Sequence, residues 1–344
     1  MEQNRTEIGT LGEFGLIDRL TEHTEIYNAS TVLGIGDDAA VIDTFGKQIV
    51  VTSDILVEGI HFDLMYMPLK HLGYKSVIVN LSDVYAMNAQ PTQITVSIAI
   101  SNRFSVEALE EIYAGIHLAC KKYGVDLVGG DTTTSKSGLI ISITAIGELD
   151  EKKVVTRKGA HEHDLICVTG NLGAAYMGLL LLEREKRIFL ETPDVQPDLE
   201  NQAYIVERIL KPETQKELIT WLDNHQIIPS AMIDISDGLS SEILHLCKQS
   251  ECGCILYEDK IPIHEQTRQN AEKFNIAATT CALNGGEDYE MLFTVSTNDF
   301  EKISKCPFVS IIGHITTPEK GTHLITKGNN KIELKAQGWN PLKN

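Results

Sequence analysis

The stretch SVEALEEIYAGIHLACKKYGVDLVGGD, residues 105–131, reads in one run as a helix, a stop, a strand and a glycine-acid turn. Ser105 can cap a helix in which Val106, Leu109, Ile112, Tyr113, Ile116, Cys120 and Tyr123 recur at helical spacing until Gly124 stops it. Val125 to Val128 then form a short apolar strand that ends on Gly129-Gly130-Asp131. A helix that returns straight into a strand belongs to a mixed fold, in which helices cover a sheet.

The neighbouring segments repeat that alternation. Gln48 to Ser53 reads as a strand, Leu69 to Ala89 as a helix ended by Gln90-Pro91, Gln93 to Ile100 as a strand, and Leu139 to Gly147 as a β-branched strand closing the unit. Periodicity lapses over the charged residues Glu148 to Lys153, and a new strand, Leu165 to Thr169, follows; the domain boundary is placed there. A chain of 344 residues exceeds what one hydrophobic core usually organises, which agrees with two domains, 1–150 and 151–344. In the second, helical patterns cover Tyr204 to Leu210, Glu213 to Asn224 and Leu239 to Gln249, with a strand at Ala231 to Ile235. The polar segment Glu183 to Asn201, with its two prolines, reads as a loop or short helix of low stability.

Composition excludes several classes. A formal charge of −18 with no local basic cluster argues against nucleic acid and acidic membranes, both of which need a basic face. No run approaches the roughly 18 apolar residues of a membrane helix. The polar start MEQNRTEIGT lacks a basic-then-apolar leader, which points to a cytoplasmic address. The seven cysteines show no zinc-ligand spacing and read as reduced, small buried hydrophobes.

Acids stand beside glycine or hydroxyl residues at strand ends five times: Gly36-Asp37-Asp38, Thr52-Ser53-Asp54, Gly129-Gly130-Asp131, Asp234-Ile235-Ser236-Asp237-Gly238 and Gly285-Gly286-Glu287-Asp288. Asp83, in the helix segment Asn80-Leu81-Ser82-Asp83, adds a further carboxylate. Each alone fits a cap or turn. Together with Thr and Ser oxygens they make hard-oxygen sites suited to Mg²⁺, and like charges held close are stable when divalent ions fill the gaps. Magnesium between carboxylates and a polyphosphate is the common arrangement for phosphoryl transfer. Gly34 to Ala39 also fits the dinucleotide pattern G-x-G-x-x-A, with Asp54 twenty residues beyond Gly34. That fingerprint requires a helix to begin there, whereas Ala39 to Ser53 reads as a β-hairpin turning at Gly46. The sequence contains neither G-x-x-x-x-G-K-[ST] nor the H-R-D and D-F-G elements of protein kinases.

The ordered set GIGDDAA, TSD…GIHF, NLSD, GGDTT, VTRKGA, IDISDGL and NGGEDYE resembles thiamine-monophosphate kinases over nearly the whole chain. That family shares its fold with aminoimidazole ribonucleotide synthetase, selenophosphate synthetase and a hydrogenase maturation factor. The resemblance implies an α+β N-terminal domain that binds ATP and Mg²⁺ and dimerises through its sheet, with an α/β C-terminal domain completing the active site. It implies Mg²⁺-dependent transfer of the γ-phosphate of ATP to thiamine monophosphate, by direct in-line attack, in a homodimer.

Residue by residue, the resemblance implies Mg²⁺ at Asp38, Thr52, Ser53, Asp54, Asp83, Asp131, Asp234 and Asp237, with the role of Asp37 open. Tyr123, Gly130, Asp131, Arg157 and Ser236 would contact ATP, Arg157 through charge-assisted hydrogen bonds to phosphate. His61, Glu287 and Trp339 would meet thiamine monophosphate. A cationic thiazolium suits an aromatic face and a carboxylate, and an imidazole can donate to phosphate. Tyr123 also lies on the apolar stripe of its helix, which fits core packing equally. Two alternatives stand beside this reading. One is another enzyme of the superfamily; selenophosphate synthetase would want a reactive cysteine near the N-terminus, and the first cysteine here is Cys120. The other is a non-catalytic nucleotide or Mg²⁺ sensor, which would lack a carboxylate or the arginine; none is missing.

Overall fold

The computed structural model describes residues 19–33 and 41–337. They divide at Lys152 and Lys153 into two compact units, with residues 86–88 counted in the second.

In the first unit, β1 (Thr31–Leu33) pairs antiparallel with β2 (Val41–Ile42). The main sheet is formed by β3 (Gln48–Val57), β4 (Gln90–Ile100), β5 (Asp126–Thr134) and β6 (Ile140–Leu149), in the order β3-β6-β4-β5. Only β4 and β5 run parallel, and the α-helix between them supplies the crossover such a pair requires. Among the described residues, Val41 to Ser53 do not form the hairpin expected over Ala39 to Ser53. Phe45 and Gly46 do turn, with positive φ, but the flanking strands pair elsewhere, β2 with β1 and β3 with β6. Ten residues of β3 gain more from a full ladder on β6 than from a two-residue partner.

Among the described residues, the long helices on this sheet are α1 (Leu69–Ala86) and α2 (Val106–Tyr123). Their backbones meet where Gly73 lies on the carbonyl of Ile112 and Gly115 on that of Lys70; a Cβ at either glycine would overlap its neighbour. Helix α1 is buried on nearly every side. From Leu72 to Ala86, Asp83 is the one residue not buried. Helix α2 has the ends its sequence predicts, with the Ser105 side chain accepting from the amide of Ala108 at 3.3 Å and Gly124 closing it in the left-handed conformation. The end of α1, three residues before the expected Ala89, follows from Asn88 taking positive φ ahead of Pro91.

The second unit is a seven-stranded sheet of β7 (Leu165–Thr169), β8 (Ala231–Asp234), β9 (Gly253–Tyr257), β10 (Met291–Val295), β11 (Val309–Thr316), β12 (Thr322–Ile325) and β13 (Lys331–Glu333). Its order is β13-β12-β9-β11-β7-β10-β8, antiparallel except for β9 and β12. Its helices are α3 (Ala174–Glu191), α4 (Ala203–Leu210), α5 (Lys216–Asn224), α6 (Leu239–Gln249), α7 (Glu265–Lys273) and α8 (Ala278–Asn284), before a last short turn of helix. Helix α3 runs on to Glu191, so the first half of the segment expected as a loop or short helix continues a long regular helix, in which Met177, Leu181 and Leu182 are buried and the buried Glu185 is held by Arg184 and the amide of Asp198. A core of Ile166, Val168, Ile233, Ile243, Leu256 and Leu292 joins sheet and helices. All seven cysteines are unpaired, and all but Cys252 are buried. Among the described residues no helix is long and apolar enough to cross a membrane.

Candidate active site

Alternation along β3 sorts the first group of site residues. Thr52, Asp54 and Leu56 are the less exposed set, and Val51, Ser53 and Ile55 the exposed one, as a strand with one covered face requires. Thr52 Oγ1 donates to Asp83 Oδ2 of α1 at 2.6 Å, and Asn80 of α1 accepts the amide of Asp54 at 2.9 Å. Asn80 is itself fixed, donating to the Ser76 carbonyl at 3.0 Å. The helix thus presents Asn80 and Asp83 to the strand from successive turns. Burial, and then the charge of Asp83, push the Asp54 carboxyl up to about 6.

Ser53 and Asp131 lie on the other face. Ser53 pairs with Thr144, whose hydroxyl donates to it at 3.1 Å, and Ser53 donates to the Ile143 carbonyl at 3.2 Å. Asp131 stands in register with Ser97, which pairs with Ser142 and through it aligns with Ile55. Gly130 stands beside Val96, and its bare Cα lies against that residue's carbonyl. Of the residues expected at Mg²⁺, five are described in this unit: Thr52, Asp54 and Asp83 are brought together, and Ser53 and Asp131 share the opposite face.

Tyr123 is buried, its ring 6.3 Å from that of Tyr85. That packing is compatible with its place on the apolar stripe of the helix. His61 follows β3 in a turn, where Nδ1 accepts the amide of Val57 at 3.1 Å. In the neutral ring the proton is then on Nε2.

The second unit laces two of the sequence motifs together. Ile235 and the residues after β8 exchange hydrogen bonds with the approach to β10: the amide of Ile235 donates to Glu290 O at 2.8 Å, that of Tyr289 to Ile235 O at 2.9 Å, and that of Glu287 to Ser236 O at 2.7 Å. Gly286 permits this, because a Cβ there would overlap the Ser236 carbonyl. Asp234 ends β8 buried opposite Met291, while Ser236 is half-buried and Asp237 exposed. Although Asp237 is exposed overall, partial desolvation of its carboxyl raises its pKa, with His245 opposing and Glu287 adding. Arg157 is exposed on a loop tethered by Ser250, whose hydroxyl accepts the amides of Gly159 and Ala160 and donates to the Arg157 carbonyl at 3.1 Å.

Several residues escaped the sequence reading. Glu242, in the first turn of α6, accepts the amide of Asp237 at 2.9 Å, and burial, with the charges of Asp234 and Asp237, pushes it up to about 8. Its only sequence signal is an acid in the first turn of a helix. Asn80, one turn before Asp83, carries no charge to mark it, yet it fixes the Asp54 amide. Arg208, Asp288 and Glu290 form a buried group behind Glu287; an arginine inside the apolar stripe Ile205, Ile209 and Leu210 was the available sign. Asp37, Asp38 and Trp339 lie outside the described residues.

Among the described residues no three His, Cys, Asp or Glu side chains converge as a metal-binding group. Mg²⁺ does not demand one, since it is commonly held by one or two carboxylates together with water and substrate phosphates. The oxygen-only donor set Thr52, Asp54 and Asp83 fits that habit.

These arrangements can be set against known proteins. Residues 36–149 match the family described as AIR synthase related protein, N-terminal domain. The thiamine-monophosphate kinase of Buchnera aphidicola (Schizaphis graminum) is 37% identical over 95% of this chain and 98% of its own. The chain belongs to the thiamine-monophosphate kinase family. The crystal structure of the thiamine-monophosphate kinase of Stenotrophomonas maltophilia covers 94% of this chain and 98% of its own at 29% identity, with a TM-score of 0.78. A second structure of the family, AaThiL complexed with AMPPCP and TMP, covers 98% and 99% at 29% identity, with a TM-score of 0.73. The expected two-domain, aminoimidazole ribonucleotide synthetase-like fold is borne out.

Proposed function

We propose that this chain transfers the γ-phosphate of ATP to thiamine monophosphate, giving thiamine diphosphate and ADP with Mg²⁺ as cofactor. The observation that carries this reading is membership of the family over nearly the full length, with a relative in it bound to AMPPCP and TMP. The acceptor's phosphate oxygen is ionised at neutral pH, so the chain need supply no general base. What it must supply is alignment and relief of repulsion between two anions.

Thr52, Asp54 and Asp83 would hold Mg²⁺, with Asp38, Ser53, Asp131, Asp234 and Asp237 as further proposed ligands. Bound there, the ion would offset negative charge on the reacting phosphates. Arg157 would donate charge-assisted hydrogen bonds to phosphate, and Gly130 and Ser236 would accept close approach of the nucleotide. His61 would donate Nε2–H to the acceptor phosphate, in the tautomer its bond to Val57 favours. Glu287 and Trp339 would face the cationic thiazolium. The exposed face of the first sheet, with Val51 64% and Ile55 52% exposed, supports a homodimer formed through it.

The test is ADP release from ATP with Mg²⁺ and thiamine monophosphate, with free thiamine and no acceptor as controls and the product identified. Thiamine diphosphate that disappears with EDTA is the expected result. ADP release indifferent to the acceptor would move the chain to another reaction of the superfamily.

A further inference from the structure

Behind Glu287 lies a group of charges whose job is not explained by folding alone. Asp288 is fully buried and accepts the amides of Gly173 at 2.6 Å and Ala175 at 3.4 Å, so a carboxylate from a distant segment satisfies the first amides of α3. Arg208, on α4, packs against Asp288 with 15% of its own side chain exposed. Its guanidinium reaches Glu290 Oε1 at 2.9 Å, Asp288 Oδ1 at 3.9 Å and the Asp288 backbone carbonyl at 2.9 Å. Glu290 Oε2 in turn accepts Thr169 Oγ1 and Gln215 Nε2, each at 2.5 Å. Thr169 also accepts the amide of Met291, the first residue of β10.

The backbone between these anchors is in an unusual state. Glu287 has φ +63° and Tyr289 φ +52°, so two residues with side chains adopt the left-handed region on either side of Asp288. Such conformations persist where the surroundings over-determine them, and they cluster where a side chain has to be aimed. The aim is visible in the burial: Asp288, Tyr289 and Glu290 turn inward and Glu287 is left half-exposed. A buried ion pair is a poor device for stability as such, since apolar residues of similar volume commonly serve as well or better.

We propose that Arg208 is a positioning residue for the acceptor site: by binding both the backbone and the flanking carboxylates of Asp288 and Glu290, it fixes the strained turn that presents Glu287 to the cationic ring of a thiamine phosphate. The inference rests on the proposed function and on Glu287 as its acceptor contact.

The full chain is compared as wild type, Arg208→Met, Arg208→Lys, Glu287→Gln and the double variant Arg208→Met/Glu287→Gln, by steady-state kinetics in each substrate and by calorimetric binding of thiamine monophosphate. Arg208→Met is expected to raise KM and Kd for thiamine monophosphate about tenfold while KM for ATP stays within about twofold. Arg208→Lys recovers part of that loss. Because Arg208 acts through Glu287, the double variant binds the acceptor no worse than Glu287→Gln alone. Equal rises in both KM values, additive losses in the double variant, or a Glu287→Gln variant with unchanged acceptor affinity would each overturn the proposal. Should Arg208→Met not fold, Gln215→Leu removes one bond to Glu290 and is expected to raise acceptor KM about threefold, ATP again unaffected; no rise would overturn it. A wild-type protein that does not bind thiamine monophosphate overturns the proposed function itself, a result distinct from any of these.

Discussion

Carboxylates are gathered in both units, but on opposite terms. Around Asp54, burial and the charge of Asp83 both disfavour ionisation. Around Asp288, burial pushes the carboxyl up to about 7 and Glu290 adds to it, yet Arg208 and the amides of Gly173 and Ala175 pull the other way. The second group finds its compensating charge within the fold. The first is arranged so that bringing in a cation relieves it, which is how a site differs from a brace.

The largest effect expected from that contrast is on activity. Asp54→Asn keeps the shape and removes the charge, so the turnover rate should fall by about 100-fold or more in a magnesium titration of the kinase assay. The same change should raise the melting temperature of metal-free protein at pH 7, because a buried repulsion is gone. A variant as active as wild type at ordinary magnesium, or one that melts lower, would erase the distinction between the two regions.

Glu290→Ala tests the brace. It leaves the Arg208 guanidinium without its 2.9 Å partner, and removing one member of a buried pair costs on the order of 3 kcal/mol. For a unit of this size that is a fall in melting temperature of roughly 6–12 °C, read by calorimetry. A loss no larger than that of a surface change would mean the pair is not desolvated as its geometry indicates.

The pH dependence separates the groups more finely. The folded Asp54 carboxyl, at about 6, lies above the ordinary aspartate value of about 3.9, so native protein holds the proton that unfolded protein has lost. Metal-free stability should therefore decline as pH rises through that window, and the decline attributable to Asp54 is the difference between wild type and Asp54→Asn. Asp288 and Glu242, also raised, contribute to both curves and cancel. With magnesium present the sign reverses, since binding needs the ionised form, and affinity should weaken about tenfold for each unit below pH 6.

The parts of this contrast that a sequence can show are local ones. Helix α2 was legible from Ser105 to Gly124 because its caps and apolar stripe are written in consecutive residues. Thr52, Asp54 and Asp83 were legible as a chemical type, and the register of β3 against α1 then joined them. What stayed hidden depends on pairing between distant segments. Which partner β3 would take decided the fate of the expected hairpin, and a one-residue step along β3 decided that Ser53 would face away from Asp54. Arg208 and Asp288 are eighty residues apart in the chain, and only the tertiary contact between them relates them. Over Glu183 to Glu191 the sequence allowed a loop or short helix, and that these residues continue the long α3 stayed hidden because their charges give no periodic sign of the face they ride on.

The smallest effects belong to the face of the first sheet away from α1, where two substitutions on adjacent residues part company. Ser53 would offer Mg²⁺ an uncharged hydroxyl that already bonds the Ile143 carbonyl and Thr144, so Ser53→Ala should cost about 1 kcal/mol or less and weaken magnesium binding much less than Asp54→Asn does. If instead it matches Asp54→Asn, the two faces of β3 serve one metal group and the separation drawn from the register is wrong. Val51→Lys, two residues earlier on the same exposed face, should leave the melting temperature nearly unchanged because the residue is already 64% exposed. If the proposed homodimer forms through this face, the change should nevertheless shift light-scattering mass from dimer toward monomer, since a lysine in an apolar contact must be desolvated on association. A dimer indifferent to that lysine would place the contact on another surface and leave the exposed valine and isoleucine of β3 in need of a different partner.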